Sequence, residues 1–243
     1  MTKHLITVAL AGIATIVAAC GSSRPGRDVT RVPPPASADR ATSLQHELVS
    51  VVRAVSPSVV QIETPQDLGS GVVFDARGDI VTNAHVVGHA TRFLVTLASG
   101  DSHPATAIGR DPKNDLAVIR IAGARPRPAT FADSSQVEVG DIALALGNPL
   151  GLRSSVTEGI VSAVGRSVPE GDGVTLSSAI QTSAAINPGN SGGALVDLSG
   201  RVIGIPTLAA LDPQMGASQA PGIGFAIDSN TVSRVAGALV QTR

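Results

Sequence analysis

Residues 187–193 read Asn187-Pro188-Gly189-Asn190-Ser191-Gly192-Gly193, a run in which glycines stand on both sides of a single serine. Glycine lets the chain turn sharply and removes the side chains that would crowd an approaching carbonyl, so the Ser191 hydroxyl and nearby backbone N–H groups lie open to a ligand. Such a turn offers a nucleophile beside an oxyanion trap. Most Gly-rich turns that hold a serine are only turns, so the run acquires meaning from partners elsewhere. A serine hydroxyl becomes nucleophilic when a histidine takes its proton, and the imidazolium that forms needs a buried carboxylate to orient and stabilise it.

The chain contains five histidines, His4, His46, His85, His89 and His103, and all of them precede Ser191. The G-x-S-x-G elbow of α/β-hydrolases needs the order serine, acid, histidine, so that reading fails. His85 lies in Val81-Thr82-Asn83-Ala84-His85-Val86-Val87, where an apolar strand runs into small and polar residues and the ring can project from the strand end. Asp115 lies in Lys113-Asn114-Asp115-Leu116-Ala117-Val118-Ile119-Arg120-Ile121, where a carboxylate leads into an apolar strand and is expected to be at least partly buried. A surface histidine and a turn acid are the ordinary explanations of each residue alone. The order His, Asp, Ser in these three contexts leaves little room for coincidence.

These runs resemble the protease domain of the HtrA/Deg family of trypsin-like serine proteases. Further matching runs are Gly69-Ser70-Gly71-Val72-Val73, Gly147-Asn148-Pro149-Leu150-Gly151-Leu152, the segment from Gln181 to Leu195, and Gly222-Ile223-Gly224-Phe225-Ala226-Ile227, spread over residues 48–241. The resemblance implies an all-β fold, the chymotrypsin/trypsin-like double antiparallel β-barrel, with short N-terminal and C-terminal helices. It implies that His85 acts as general base and then acid, that Asp115 orients it, and that Ser191 attacks a peptide carbonyl to form an acyl-enzyme. The oxyanion hole is expected in the turn Gly189, Asn190, Ser191, through the N–H groups of Gly189 and Ser191. A substrate pocket is expected from Thr182, Ser183 and Ala184, from Ile203, Gly204 and Ile205, and from Ile223, Gly224, Phe225 and Ala226. None of these is acidic, so a small or medium aliphatic residue is expected before the cleaved bond. Relatives usually carry Asp where Ser183 stands, a departure that must change the local hydrogen bonding. Segments 165–178 and 207–221 are expected to be regulatory loops, with Arg166 contacting the turn 187–190 in the active state.

At 243 residues, 43% hydrophobic and with a formal charge of −1, the chain is long enough for one large or two small cores. Near-neutral charge gives no electrostatic case for nucleic acid. With no Trp or Tyr and only Phe74, Phe93, Phe131 and Phe225, the core falls to Val, Ile, Leu and Ala. His85 and His89 stand four apart, but Val86, Val87 and Gly88 between them lack the glutamate of a zinc H-E-x-x-H site. Neither a metal nor a cofactor is expected.

Lys3 and His4 precede an apolar run from Leu5 to Ala19 that is short for a bilayer span, and Val17-Ala18-Ala19-Cys20-Gly21 resembles a bacterial lipobox. Residues 1–19 are therefore expected to be a lipoprotein signal peptide, and Cys20, the only cysteine, the lipid attachment site that holds the protein to the outside of the bacterial cell membrane. Residues 20–43, with Pro33-Pro34-Pro35, are expected to form a disordered tether.

The protease domain is expected over 44–243. Leu44, Leu48, Val51, Val52 and Val55 recur at helical spacing. Strands follow at 71–74, 80–82, 93–97, 103–108 and 115–121, then at 142–147, 155–164, 179–182, 194–196, 202–206 and 222–227, separated by Gly, Pro, Asp and Ser. This gives barrels over about 48–128 and 129–228, a crossing near Arg125 to Thr130, and a C-terminal helix capped by Asp228 or Ser229. The PDZ domain common in the family is expected to be missing. The aromatic residues on which the family's trimers lean do not occur before Phe74, so a monomer is expected over a homotrimer. Protein or peptide substrates are the expected partners. The competing reading is a lipid-anchored chaperone or peptide-binding protein with the barrel scaffold and a collapsed oxyanion hole.

Overall fold

Short runs of valine, isoleucine and leucine between turn residues pair with one another, and closing each set on itself removes the open edges of antiparallel sheets. The computed structural model describes residues 36–65, 67–148, 155–171, 174–187, 189–212 and 218–242. The expected signal peptide, Cys20 and the tether up to residue 35 lie outside the described residues. The first barrel comprises β1 (Val59–Glu63), β2 (Leu68–Val73), β3 (Asp79–Thr82), β4 (Arg92–Thr96), β5 (Ser102–Asp111) and β6 (Leu116–Ile121), closed in the order β1-β2-β3-β6-β5-β4. The second comprises β7 (Ile142–Gly147), β8 (Ser155–Gly171), β9 (Val174–Thr182), β10 (Ala194–Val196), β11 (Val202–Asp212) and β12 (Ser218–Asp228), closed in the order β10-β11-β12-β9-β8-β7. Among the described residues, the helices α1 (Ala36–Val55), α2 (Ala84–Val87) and α3 (Ser229–Gln241) accompany them. The expected all-β double barrel is the fold the chain adopts.

Successive side chains of a strand point to opposite faces, and in β1, β3, β6 and β7 both faces are buried along most of the strand. Val60, Ile62, Ile80 and Ile119 fill the first barrel. Their chain neighbours Val59, Val81 and Val118 face outward into a seam, where they meet Leu144, Leu146, Val202 and Ile205 of the second barrel. Ala143, Ala145, Val161, Leu195 and Ile203 fill the second barrel. α1 adds Val51 and Val55 to the seam, and α3 adds Val232, Val235 and Val240. The Asp228 carboxylate caps α3 by accepting the Thr231 N–H at 3.0 Å. The expected crossing is stitched to both barrels: Ala129 N–H donates to Val73 O at 2.9 Å, and Val202 N–H to Thr130 O at 2.8 Å.

Several expectations change. Helix α1 begins at Ala36, so residues 36–43 are helical rather than tether; Ala36, Ala38 and Ala41 all favour helix. Strand β1 was not anticipated from the sequence, because its residues are buried on both faces and show no alternation. The segments expected as regulatory loops are mostly strand, forming the long hairpins β8–β9 and β11–β12. In β8–β9 the cause is visible: Val168 and Leu176 sit opposite each other and are buried against the seam.

Candidate active site

The first two polar residues of the site sit on turns at one end of the first barrel. β3 ends at Thr82, Asn83 follows, and the single turn α2 presents His85, so the ring projects from a helix rather than a strand end. A 3-10 turn at Pro112–Asn114 precedes β6 and leaves Asp115 in the left-handed region at φ 48°, the one non-glycine residue with positive φ among the described residues. Such a backbone is sparsely populated for residues with a side chain. It is held here by the exposed donors that open a helix. The Ala84 N–H and the Asn83 side-chain amide donate to the Asp115 carbonyl at 3.0 and 3.1 Å, and the His85 N–H donates to its Oδ1 at 3.0 Å. The second carboxylate oxygen, Oδ2, lies 2.8 Å from His85 Nδ1.

The third residue comes from the second barrel. Ser191 occupies the turn between β9 and β10, and Ser70 N–H of β2 donates to its carbonyl at 3.0 Å, docking the turn on the first barrel. Gly192 makes that docking possible: it has φ +78°, and a Cβ there would collide with Ser70 O and Thr82 Oγ1. Ser191 Oγ donates to Thr207 O at 3.1 Å, while Thr207 Oγ1 donates to Asp115 Oδ2 at 2.7 Å. One residue of β11 therefore touches both the hydroxyl and the carboxylate. Thr207 escaped the sequence reading, since nothing in its neighbourhood marks a partner 92 residues away.

Burial of Asp115 acts to raise its pKa. The His85 ring bond and charge, the Thr207 hydroxyl and the His85 N–H outweigh that, and the carboxyl lies below its usual value. It stays ionised, with the half-exposed imidazole against it.

In the turn itself, Gly189 lies at φ +103°. The N–H groups of Gly189 and Ser191 have no acceptor among the described residues. Asn190 differs: its N–H is taken by Asn187 O at 3.1 Å, and its side chain braces the turn through Asn187 N and Ala185 O. It shapes the expected oxyanion hole and supplies no free donor to it.

Of the residues expected to wall a pocket, Thr182, Ala184, Ile203, Ile205 and Ala226 are buried in the second barrel or at the seam. Gly204 pairs with Leu195 and Asp228, Phe225 is half-buried on β12, and Ile223 is exposed. Gly224 lies against Ile186, a buried residue the sequence reading passed over. Ser183 is tied to Ile160 twice: its hydroxyl accepts the Ile160 N–H at 3.0 Å and its own N–H donates to Ile160 O at 3.0 Å. Arg166 is exposed on β8 opposite Ala179, and among the described residues no hydrogen bond joins it to the turn 187–190.

Residues 69–205 match the family model described as "Trypsin-like peptidase domain". The chain is 48% identical over 176 residues to the periplasmic serine endoprotease DegP of Escherichia coli K12, covering 72% of this chain and 36% of that protein. It is 41% identical over 214 residues to the serine protease PepD of Mycobacterium tuberculosis, covering 79% of this chain and 46% of the relative. It thus spans between a third and a half of the length of these curated relatives. Among solved structures, the HtrA-type protease AlgW with a tripeptide superposes with a TM-score of 0.71 at 40% identity, covering 80% of this chain and 64% of that one. With two closed barrels, a histidine–aspartate pair at their seam and a serine turn docked beside it, the chain belongs to the trypsin-like peptidase family, among its HtrA/DegP members.

Proposed function

We propose that the chain is a serine endopeptidase that hydrolyses peptide bonds in unfolded or damaged proteins outside the cytoplasm. His85 takes the Ser191 proton as the hydroxyl oxygen attacks the peptide carbonyl, and Asp115, bonded to Nδ1, holds the ring in the tautomer whose Nε2 accepts. His85 then passes that proton to the leaving amine, and Ser191 is left acylated. Water, deprotonated by the same ring, releases the new carboxyl end. The N–H groups of Gly189 and Ser191 receive the developing oxyanion, and a donor of this kind is typically worth about 3 to 4 kcal/mol in the transition state.

The observation that carries the reading is the double attachment of Thr207, which joins the Ser191 hydroxyl through its carbonyl and the Asp115 carboxylate through its hydroxyl. The periplasmic relatives support an extracytoplasmic setting, and the tripeptide of the AlgW structure supports peptide ligands. The residues expected to wall the substrate pocket include no acid, which supports an aliphatic side chain before the cut. A lipid on Cys20 holding a monomer to the membrane belongs to the same proposal. No helix among the described residues is long and apolar enough to cross a membrane.

A fluorophosphonate probe acylates a serine only if it is activated and its oxyanion hole is formed. The chain should label and should cut casein, and Ser191→Ala should do neither. Suppression of aggregation with no labelling of the unsubstituted chain would instead establish the chaperone or peptide-binding reading.

A further inference from the structure

We infer that Ser70 is a positioning residue for the oxyanion turn, an assignment that rests on the peptidase reading above. Ser70 lies within β2 of the first barrel and is fully buried. Burying a hydroxyl is unfavourable unless it is hydrogen-bonded, and this one is bonded twice. Its Oγ donates to the Gly189 carbonyl at 2.5 Å and accepts the Asn148 N–H at 2.8 Å. Its backbone N–H donates to the Ser191 carbonyl at 3.0 Å. Between these two, the Asn190 carbonyl accepts the Gly193 N–H at 3.0 Å. Three successive carbonyls before and at the nucleophile are therefore held, and Ser70 holds two of them.

A peptide plane cannot turn its N–H without turning its C=O. The Ser191 N–H shares a plane with the Asn190 carbonyl, which Gly193 holds. The Gly189 N–H lies in the plane that precedes Gly189, a residue at φ +103° with a glycine's freedom to rotate. The plane between the two donors, Gly189–Asn190, is the anchored one, fixed at its carbonyl by Ser70 Oγ and at its N–H by Asn187 O at 3.1 Å. Packing tightens the same place, because a Cβ on Gly147 would meet Asn190 Cβ at 2.7 Å and Gly189 O at 2.9 Å. Removing the hydroxyl frees one end of the restraint, while the Ser70 N–H still docks Ser191. Ser70 thus fixes the backbone on which both N–H groups hang, through the carbonyls of Gly189 and Ser191, without touching substrate.

Ser70→Ala should lower kcat on a chromogenic peptide by about 10- to 100-fold, less than outright loss of an oxyanion donor can cost, with KM changed by less than about threefold. A peptide boronate, which reproduces the tetrahedral oxyanion, should lose affinity by the same factor as kcat/KM, while an unreactive peptide of the same sequence binds as before. Ser70→Cys keeps a weaker donor and should fall between parent and alanine variant. If the alanine variant unfolds, the cysteine variant is judged on the same scale. The assignment is overturned if the folded variant keeps kcat within about threefold of the parent, if KM carries the loss, or if both variants unfold, which would make the hydroxyl a core bond alone. Fluorophosphonate labelling of the unsubstituted chain separates the two levels. A parent that never labels ends the peptidase reading and this assignment with it, whereas a parent and a Ser70→Ala variant that label equally fast end only the assignment.

Discussion

In the first barrel, β4 and β5 pair without a register shift and β5–β6 has a single one, whereas β8 and β9 of the second barrel shift register at four places along their length. The first barrel also carries an internal brace. Asp79 on β3 is 0% exposed and receives Arg120 of β6 through two hydrogen bonds, at 2.6 and 2.9 Å. The histidine and aspartate stand at the ends of these two strands, on short turns that bond to each other. The serine stands in a longer irregular segment of the second barrel, between hairpins whose register shifts bend and twist the strands. The same barrel design is therefore regular where two groups must keep a proton-sharing distance, and looser where a turn must receive a substrate. Ser70 and Gly192 carry the order of the first barrel across to the second.

Four substitutions break or sharpen that contrast. The largest loss is expected for Asp115→Asn, which keeps the shape but favours the wrong imidazole tautomer and should reduce kcat about 10⁴-fold, read by peptide hydrolysis of the folded variant. Gly192→Ala attacks the contact between the barrels. Its methyl would meet Ser70 O and Thr82 Oγ1 at a positive φ, and stability should fall by about 3 kcal/mol or more in denaturant unfolding, with activity lost as well.

Thr207→Val removes the hydroxyl from Asp115 Oδ2 and should lower kcat by about tenfold, the scale of one hydrogen bond to a charged group. It also moves the acid limb. Asp115 is depressed in the folded chain, so its contribution to stability is complete above the unfolded carboxyl value and is lost as pH falls through the lower folded value. Without Thr207 the folded value rises, and stability should fail at a higher pH on acidification; an unchanged acid unfolding midpoint would show that the bond does not hold the charge.

The smallest effect is expected for Arg120→Met. It leaves the buried Asp79 with Arg77, 3.6 Å away, and the arginine side chain it removes is 37% exposed, so about 1 to 2 kcal/mol of stability is expected to go, less than for a fully buried pair. Peptide cleavage by the folded fraction should be unchanged, since the brace is not at the site.

The legible parts of the molecule were those written in nearby residues or in chain order. Strands β7 and β10 fall at Ile142–Gly147 and Ala194–Val196, where turn residues bound apolar runs on both sides. Asp228 caps α3 by the local rule for helix starts. His85, Asp115 and Ser191 could be picked out because their order excluded the competing hydrolase arrangement. Misread segments had misleading local chemistry. Residues 207–221 are rich in Gly, Ala and Gln and look like a loop, yet backbone pairing such as Ala209 with Gly224 and Leu211 with Gln219 places the described residues at either end of the segment in paired strands.

Read alone, the chain already specified two all-β halves, the turn that presents Ser191 and the residue types needed to activate it, because alternation, turn chemistry and the order of residues survive in one dimension. Folding decided the rest: that Thr207 bridges serine and aspartate, that Asn190 braces the turn and offers no donor, and that a serine in β2 holds the carbonyl of Gly189. The partners in the first and last of these contacts lie 92 and 119 residues apart for Asp115–Thr207 and Ser70–Gly189. Hydrogen bonds across such separations arise only when closed barrels pack along a common seam, and no local pattern in the sequence encodes them.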